Sequence, residues 1–345
     1  MTKCFGLQGF SMKKIGLFTL MVLLLGSRLG NSQEKKLEPF VVAYSSVTAN
    51  RVPLWIAGDT GLFEKYGLDV KLINIAAGNV ALSALLTGDV HLITAAGPQV
   101  VAAVPRGAPL IIVSTNGGSL YQLVARPSIK TVQELRGKVI GSSRIGAGTD
   151  FVLRRILDKL GLVPGKDVSL IPTGLSESEK RMLLMLQGKL DATLAEPDKV
   201  FQLVEMSGEK MSVLGNLRDF GIPAPGSELV TTRQFLKDHR GRLKNFLMAY
   251  SEAIGLGRRN KELTYQTFKK YLRIGEPKLL DFTYKVQFLE SIPAKPYPRE
   301  DAVQVAIEDL APTIPKLKEM KVPDFVDVGL MKEIDNEGFF ARIQK

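Results

Sequence analysis

The stretch Ser142-Ser143-Arg144-Ile145-Gly146-Ala147-Gly148-Thr149-Asp150 is built mainly of small and polar residues and leads from a β-prone segment into a helical one. Free N–H groups at such a helix start bind anions or carbonyl oxygens, and glycine lets a ligand approach the backbone. Ser143, Arg144, Gly146, Ala147, Gly148 and Thr149 are therefore candidate ligand contacts. The competing reading is an ordinary glycine turn with Thr149 or Asp150 as helix cap. Arg144 can clamp a carboxylate or sulfonate, although exposure to solvent is the commoner state of an arginine. Glu196, where another strand ends, can accept hydrogen bonds from an amine or hydroxyl. Equally, Glu196-Pro197-Asp198 can simply start a helix with favourable charge.

Other chemistries fit less well. Gly146-Ala147-Gly148 has Phe151 where the dinucleotide pattern needs a third glycine, and no lysine follows as a P-loop requires. Ile145 replaces the second glycine of a Gly-x-Ser-x-Gly elbow. His91 and His239 are far apart in sequence and belong to no metal-ligand spacing, and Trp55 reads as a core anchor. No carboxylate pair stands out as an acid/base couple. The expectation is a binding cleft with no catalytic residue, no metal and no cofactor.

The elements that would hold these residues alternate. Strand candidates at 40–44, 70–75, 91–94 and 110–114 are separated by helix candidates at 54–66, 80–86 and 98–105, which predicts a mainly parallel sheet covered by helices. The pattern restarts after residue 130, where Thr131 and Glu134 have capping-box spacing. Strands at 138–140, 168–171 and 192–194 then alternate with helices at 149–160, 179–186 and 197–206.

The two units resemble copies of one another. Gly67-Leu68-Asp69-Val70-Lys71-Leu72-Ile73 agrees with Gly165-Lys166-Asp167-Val168-Ser169-Leu170-Ile171 at five of seven positions, and Leu86-Thr87-Gly88-Asp89 recurs as Leu186-Gln187-Gly188-Lys189. The glycines are 21 residues apart in one copy and 23 in the other, which suits two lobes of one topology. Ligands in such sheets bind beyond the carboxyl ends of the strands. The repeat therefore sets Ser45, Ser46, Gly78, Asn79, Ala96 and Gly97, with Ala77 beside them, opposite the 143–149 loop, Thr173-Gly174 and Glu196. Segments 120–125 and 228–231, next to Gly117-Gly118 and Pro223-Ala224-Pro225-Gly226, are expected to cross between the lobes as hinges. The boundaries expected are 39–124 with 229–345 for lobe I and 125–228 for lobe II. After Thr232 the chain turns helical, with Leu243, Phe246, Leu247, Tyr250 and Ile254 on one buried face and further helices at 263–271, 278–289 and 302–310.

Composition agrees with a folded, exported protein: 45% of the 345 residues are hydrophobic and 23% charged. Residues 1–32 hold Lys3, Lys13, Lys14 and Arg28, no acid, and the apolar run 15–25, the layout of a cleaved signal peptide. Met12 is an alternative start, and Gly30-Asn31-Ser32 places the mature start near Gln33. Loss of the leader removes the only cysteine, Cys4, and takes the formal charge from +11 to +7. The mature chain then has no disulfide and no thiolate nucleophile. Basic residues are scattered without interleaved aromatics, so a nucleic-acid surface is not expected. The expectation is a periplasmic monomer.

Five segments carry a family resemblance: 53–57 (PLWIA), 61–70 (GLFEKYGLDV), 84–90 (ALLTGDV), 135–138 (LRGK) and 188–192 (GKLDA). As a set they resemble the nitrate/sulfonate/taurine-type substrate-binding proteins of ABC importers over roughly residues 40–300. The resemblance implies a two-lobed α/β fold, the type II periplasmic binding fold, whose lobes are mainly parallel sheets flanked by helices and joined by two crossover segments. It also implies a small-molecule ligand between the lobes and a membrane permease as partner. A related branch makes a thiamin pyrimidine precursor as an enzyme, and its fungal members carry a cysteine-rich pattern absent here. A ligand sensor for a membrane signalling partner is a further role open to the same fold.

Overall fold

Two five-stranded sheets of the same plan organise the chain. A computed structural model describes residues 1–2, 36–75, 78–118, 120–208, 210–222 and 226–343. The expected signal peptide, Ala77 and Pro223-Ala224-Pro225 lie outside the described residues. The first sheet is made of β1 (Glu38–Tyr44), β2 (Leu68–Asn74), β3 (Leu92–Ala96), β4 (Leu110–Gly118) and β10 (Gly226–Thr232), in the order β2-β1-β3-β10-β4. The second contains β5 (Gln122–Ala125), β6 (Val139–Ser142), β7 (Ser169–Pro172), β8 (Ala192–Ala195) and β9 (Ser212–Asn216), in the order β7-β6-β8-β5-β9. In each, three parallel strands are followed by one antiparallel strand, β10 or β5.

The repeat read from sequence has a structural basis. Gly67 and Gly165 precede the edge strands β2 and β7 with φ of 80° and 83°, and Gly88 and Gly188 close the following helices with φ of 85° and 73°. A side chain resists that left-handed backbone, so glycine recurs at the same turns of both lobes.

Helices α1 (Val52–Asp59), α2 (Leu62–Lys65), α3 (Gly78–Thr87) and α4 (Gly97–Ala103) flank the first sheet, and α5 (Gly148–Lys159), α6 (Ser178–Leu186) and α7 (Pro197–Ser207) the second. The remainder is α8 (Arg233–Asp238), α9 (Arg240–Arg259), α10 (Lys261–Thr267), α11 (Pro277–Thr283), α12 (Glu300–Leu310), α13 (Gly329–Asn336) and α14 (Phe339–Ile343), with π-helical turns at Phe268–Leu272 and Tyr284–Glu290. On α9 the five apolar positions read from sequence are all fully buried. Phe246 stacks on Phe40 of β1 at 4.9 Å between ring centres. Trp55, 1% exposed, stacks on Tyr271 at 4.6 Å and is a core anchor as expected. No helix among the described residues is long and apolar enough to cross a membrane.

Three local expectations need correction. Of segment 120–125, read as a crossing, residues 122–125 are the strand β5 inside the second sheet, and only Leu120 and Tyr121 of it lie between β4 and β5. Likewise 228–231 lies within β10, hydrogen-bonded between β3 and β4. Thr131 makes no capping bond; instead Glu134 accepts from the Lys130 backbone N–H at 2.7 Å, because the segment is a single 3₁₀ turn too short for the box. Sequence reading also missed β9, α13 and α14, elements of only five, eight and five residues.

Candidate functional site

The carboxyl ends of the parallel strands in both sheets open onto one cavity of about 390 Å3. From the first lobe come Ser45 and Ser46 after β1, Gly78 and Asn79 after β2, and Ala96 and Gln99 at the β3–α4 junction. From the second come Ser143, Arg144, Ile145, Ala147, Gly148 and Thr149 after β6, Ser176 after β7, and Glu196, Asp198 and Lys199 after β8. Tyr121 lies on the crossing between β4 and β5, Ser227 at the start of β10, and Gln287 on the second π-helical turn.

Arg51 dominates the first wall. It sits in the turn 49–51 before α1, is 4% exposed, and donates from Nη1 to Ser227 Oγ at 2.7 Å and from Nη2 to Ser46 Oγ at 3.3 Å. Its Nε has no partner, and no carboxylate pairs with it among the described residues. Burial lowers its pKa to about 10, so it remains a cation at neutral pH. Arg181 of the second lobe, also fully buried, shows what a purely structural arginine looks like here. Its donors reach Thr193 Oγ1 at 3.1 Å, the carbonyls of Leu175 and Ser176 at 2.9 Å each, and that of Leu194 at 2.8 Å. A guanidinium has five N–H groups. Arg181 spends its set on tying the loop after β7 to β8; Arg51 leaves donors unspent beside the cavity.

The second wall carries mixed charge. Ser178 Oγ donates to Glu196 Oε2, and Arg144 Nη1 donates to Ser176 Oγ at 2.9 Å, so neither sequence-identified charge points freely into solvent. Lys199 pairs with Glu179 at 2.7 Å. Asp198, 4% exposed, accepts from Gln287 Nε2 at 2.8 Å. Burial, reinforced by Glu196 and opposed by Lys199 and Gln287, pushes the Asp198 carboxyl up to about 6.

The loop 143–149 holds its shape through its own side chains. Thr149 Oγ1 accepts from the Ser143 backbone N–H at 3.0 Å and shares a 2.6 Å hydrogen bond with Ser143 Oγ, while Asp150 accepts from the Gly146 N–H at 3.0 Å. The N-cap position of α5 is Ala147, with no side-chain cap, so neither Thr149 nor Asp150 caps the helix.

Eleven of the thirteen candidate residues bound the cavity: Ser45, Ser46, Gly78, Asn79, Ala96, Ser143, Arg144, Ala147, Gly148, Thr149 and Glu196. Gly97 and Gly146 do not. Gly97 faces the Glu228 side chain, whose Cγ would lie 3.9 Å from an added Cβ, and Gly146 serves the turn itself at φ 74°. Thr173 and Gly174 also lie outside, Thr173 Oγ1 being spent on the Ser142 carbonyl at 2.8 Å. Arg51, Asp198, Lys199, Ser227 and Gln287 were missed. For Arg51 the available signal was a lone basic residue within the loop following the first strand.

Among the described residues no group of three or more His, Cys, Asp or Glu is placed to hold a metal. His91 Nδ1 accepts the Val41 backbone N–H at 3.0 Å and its ring stacks on Phe235 at 5.0 Å, a packing role.

This architecture, two matched α/β lobes with a polar cavity between their strand ends, is the periplasmic binding protein fold. The chain belongs to the NMT1/THI5-like family, whose model matches residues 48–259. A protein of Haemophilus influenzae named for thiamine biosynthesis is 25% identical over 230 residues, 65% of this chain and 70% of its own length. Among solved structures, the alkanesulfonate-binding protein SsuA of Xanthomonas axonopodis pv. citri, bound to MOPS, superposes with a TM-score of 0.68 at 19% identity, covering 85% of this chain and 99% of its own. The periplasmic nitrate-binding protein NrtA of Synechocystis PCC 6803 gives 0.70 at 15% identity, covering 88% and 89%.

Proposed function

We propose that this protein is the extracytoplasmic solute-binding component of an ABC importer, closing its lobes on a small anionic organic molecule and delivering it to a membrane permease. The observation that carries the reading is Arg51, a buried cation with unspent donors at the cavity wall and no carboxylate partner among the described residues. Burying a charge is costly unless it is paired, and a sulfonate or carboxylate oxygen accepts well from a guanidinium. Ser45, Ser46, Asn79 and Ser227 add neutral donors around it, and the 143–149 loop adds backbone N–H groups from the facing lobe. Glu196 can accept from an amine or hydroxyl at the ligand's other end. Sulfonate-, nitrate- and taurine-like solutes fit this arrangement, as does the likeness in fold to SsuA and NrtA. Lobe I is read as 39–118 with 226–345 and lobe II as 122–216, joined by the crossings between them. The protein is read as a periplasmic monomer without catalytic turnover.

A thermal-shift screen against alkanesulfonates, taurine, nitrate, carboxylates, amino acids and pyrimidines tests the proposal, because a ligand that binds only the native state raises the melting temperature. Anions should give the shift, and Arg51→Met should lose it while still unfolding cooperatively. A shift only with pyrimidines, or consumption of one, would instead support the enzyme reading suggested by the thiamine-named relative.

A further inference from the structure

The helical tail of the first lobe reaches across to the second lobe in three places, two of them outside the cavity. Phe282 on α11 stacks against Phe201 on α7 with ring centres 5.5 Å apart and planes 11° from parallel. Asp309 on α12 forms an ion pair with Arg155 on α5, the two side chains 26% and 22% exposed. Between them, Gln287 on the π-helical turn donates to Asp198, both nearly buried. A π-helical turn is wider than an α turn and is frequent at functional positions; here it carries Gln287, the one described tail residue that lines the cavity.

The two gripped helices are second-lobe helices that begin in the cavity. α5 starts at Gly148 and Thr149 and presents Arg155 further along; α7 starts just after Glu196 and presents Phe201 one turn past Asp198. Each is a rigid rod with ligand-facing residues at its N-terminus and a tail contact towards its middle. We infer that residues 277–310 form a clasp that sets the balance between open and closed lobes, so that affinity is governed from outside the cavity by Phe282–Phe201 and Asp309–Arg155. A ligand that needs the closed form has its apparent affinity reduced by the fraction of protein that is open. The effect on affinity rests on the solute-binding reading; the effect on closure does not.

Closure is measured without ligand. The only cysteine is Cys4, so a full-length chain with Cys4→Ser accepts spin labels at Lys71→Cys on edge strand β2 and Lys166→Cys just before edge strand β7, both exposed. Electron–electron dipolar spectroscopy then reports the distance between the lobes. Phe282→Ala and Arg155→Gln should each raise the long-distance fraction at least threefold, and the charge exchange Arg155→Asp with Asp309→Arg should restore the parent distribution. Phe282→Leu is the second variant, expected to shift less than Phe282→Ala, and a thermal melt checks that each variant is folded. An unchanged distribution in both Phe282→Ala and Arg155→Gln, or failure of the charge exchange to restore it, overturns the clasp. A ligand screen without hits would count against the solute-binding reading and leave these distances as informative as before.

Discussion

Glu228→Gln should make the protein more stable, and increasingly so as the pH rises from 6 to 8. Glu228 lies on β10, is fully buried, and neither carboxyl oxygen has a hydrogen-bond partner. The neighbouring Thr115 hydroxyl is directed to the Ser227 carbonyl at 3.3 Å. Burial pushes the Glu228 pKa up to about 8, with Thr115 and Arg299 opposing the shift and Asp301 adding to it. In the unfolded chain a glutamate titrates near 4.3. Between pH 6 and 8 the unfolded state therefore carries a bare carboxylate while the folded state largely keeps its proton. Stability falls as the pH rises wherever the folded state binds more protons, by up to about 1.4 kcal/mol per unit. Integrated over this window the loss is roughly 2 kcal/mol, and the gain from Gln at pH 7 is about 4 kcal/mol before the cost of burying an amide. Asp198, another buried acid, has a pKa of about 6 and completes most of its change below this window. Urea unfolding of both proteins at pH 6, 7 and 8 measures the difference, and at about 2 °C per kcal/mol the melting temperatures should diverge by about 4 °C. Parallel curves would show that Glu228 is ionised and solvated in the folded protein, and the argument would fail.

Arg181→Met removes four hydrogen bonds, two buried and two part-buried, and should cost about 3 kcal/mol by urea unfolding, because the buried acceptors keep their desolvation cost. Gly148→Trp should abolish ligand-induced thermal shifts while leaving the fold intact, since even a Cβ there would lie 3.4 Å from Ala96 of the facing lobe. Gly117→Ala should lower the melting temperature sharply or prevent folding: φ is 91°, and the new Cβ would fall 2.2 Å from the Ser291 carbonyl oxygen.

The alternation of strands and helices was legible because short β-prone runs such as β1 and β3 are separated by helices, of which α5 and α7 present a clear apolar stripe. The cavity loops were legible for a related reason: strand order and the internal repeat fix which loops face each other without any side-chain detail. What stayed hidden depends on contacts distant in sequence. Arg51 acquires its meaning from Ser227, and Asp198 from Gln287. β5 is too short to announce whether it crosses or pairs; only its neighbours β8 and β9 make it a strand. The five α9 positions were easy by contrast, since all the information lies within one helical repeat.

The strand order also dictates a sequence of events during folding. The second sheet uses only β5 to β9, a contiguous run, and can complete itself as soon as residue 216 is available. The first sheet cannot, because β10 must slot between β3 and β4, and β4 has no other strand neighbour. Until then β4, nine residues that are all buried in the finished protein, presents unpaired backbone and an apolar surface. Pairings so distant in sequence form late. The later half of the α/β region thus matures first, and LIIVSTNGG is the segment most prone to aggregate while the chain waits for its last strand.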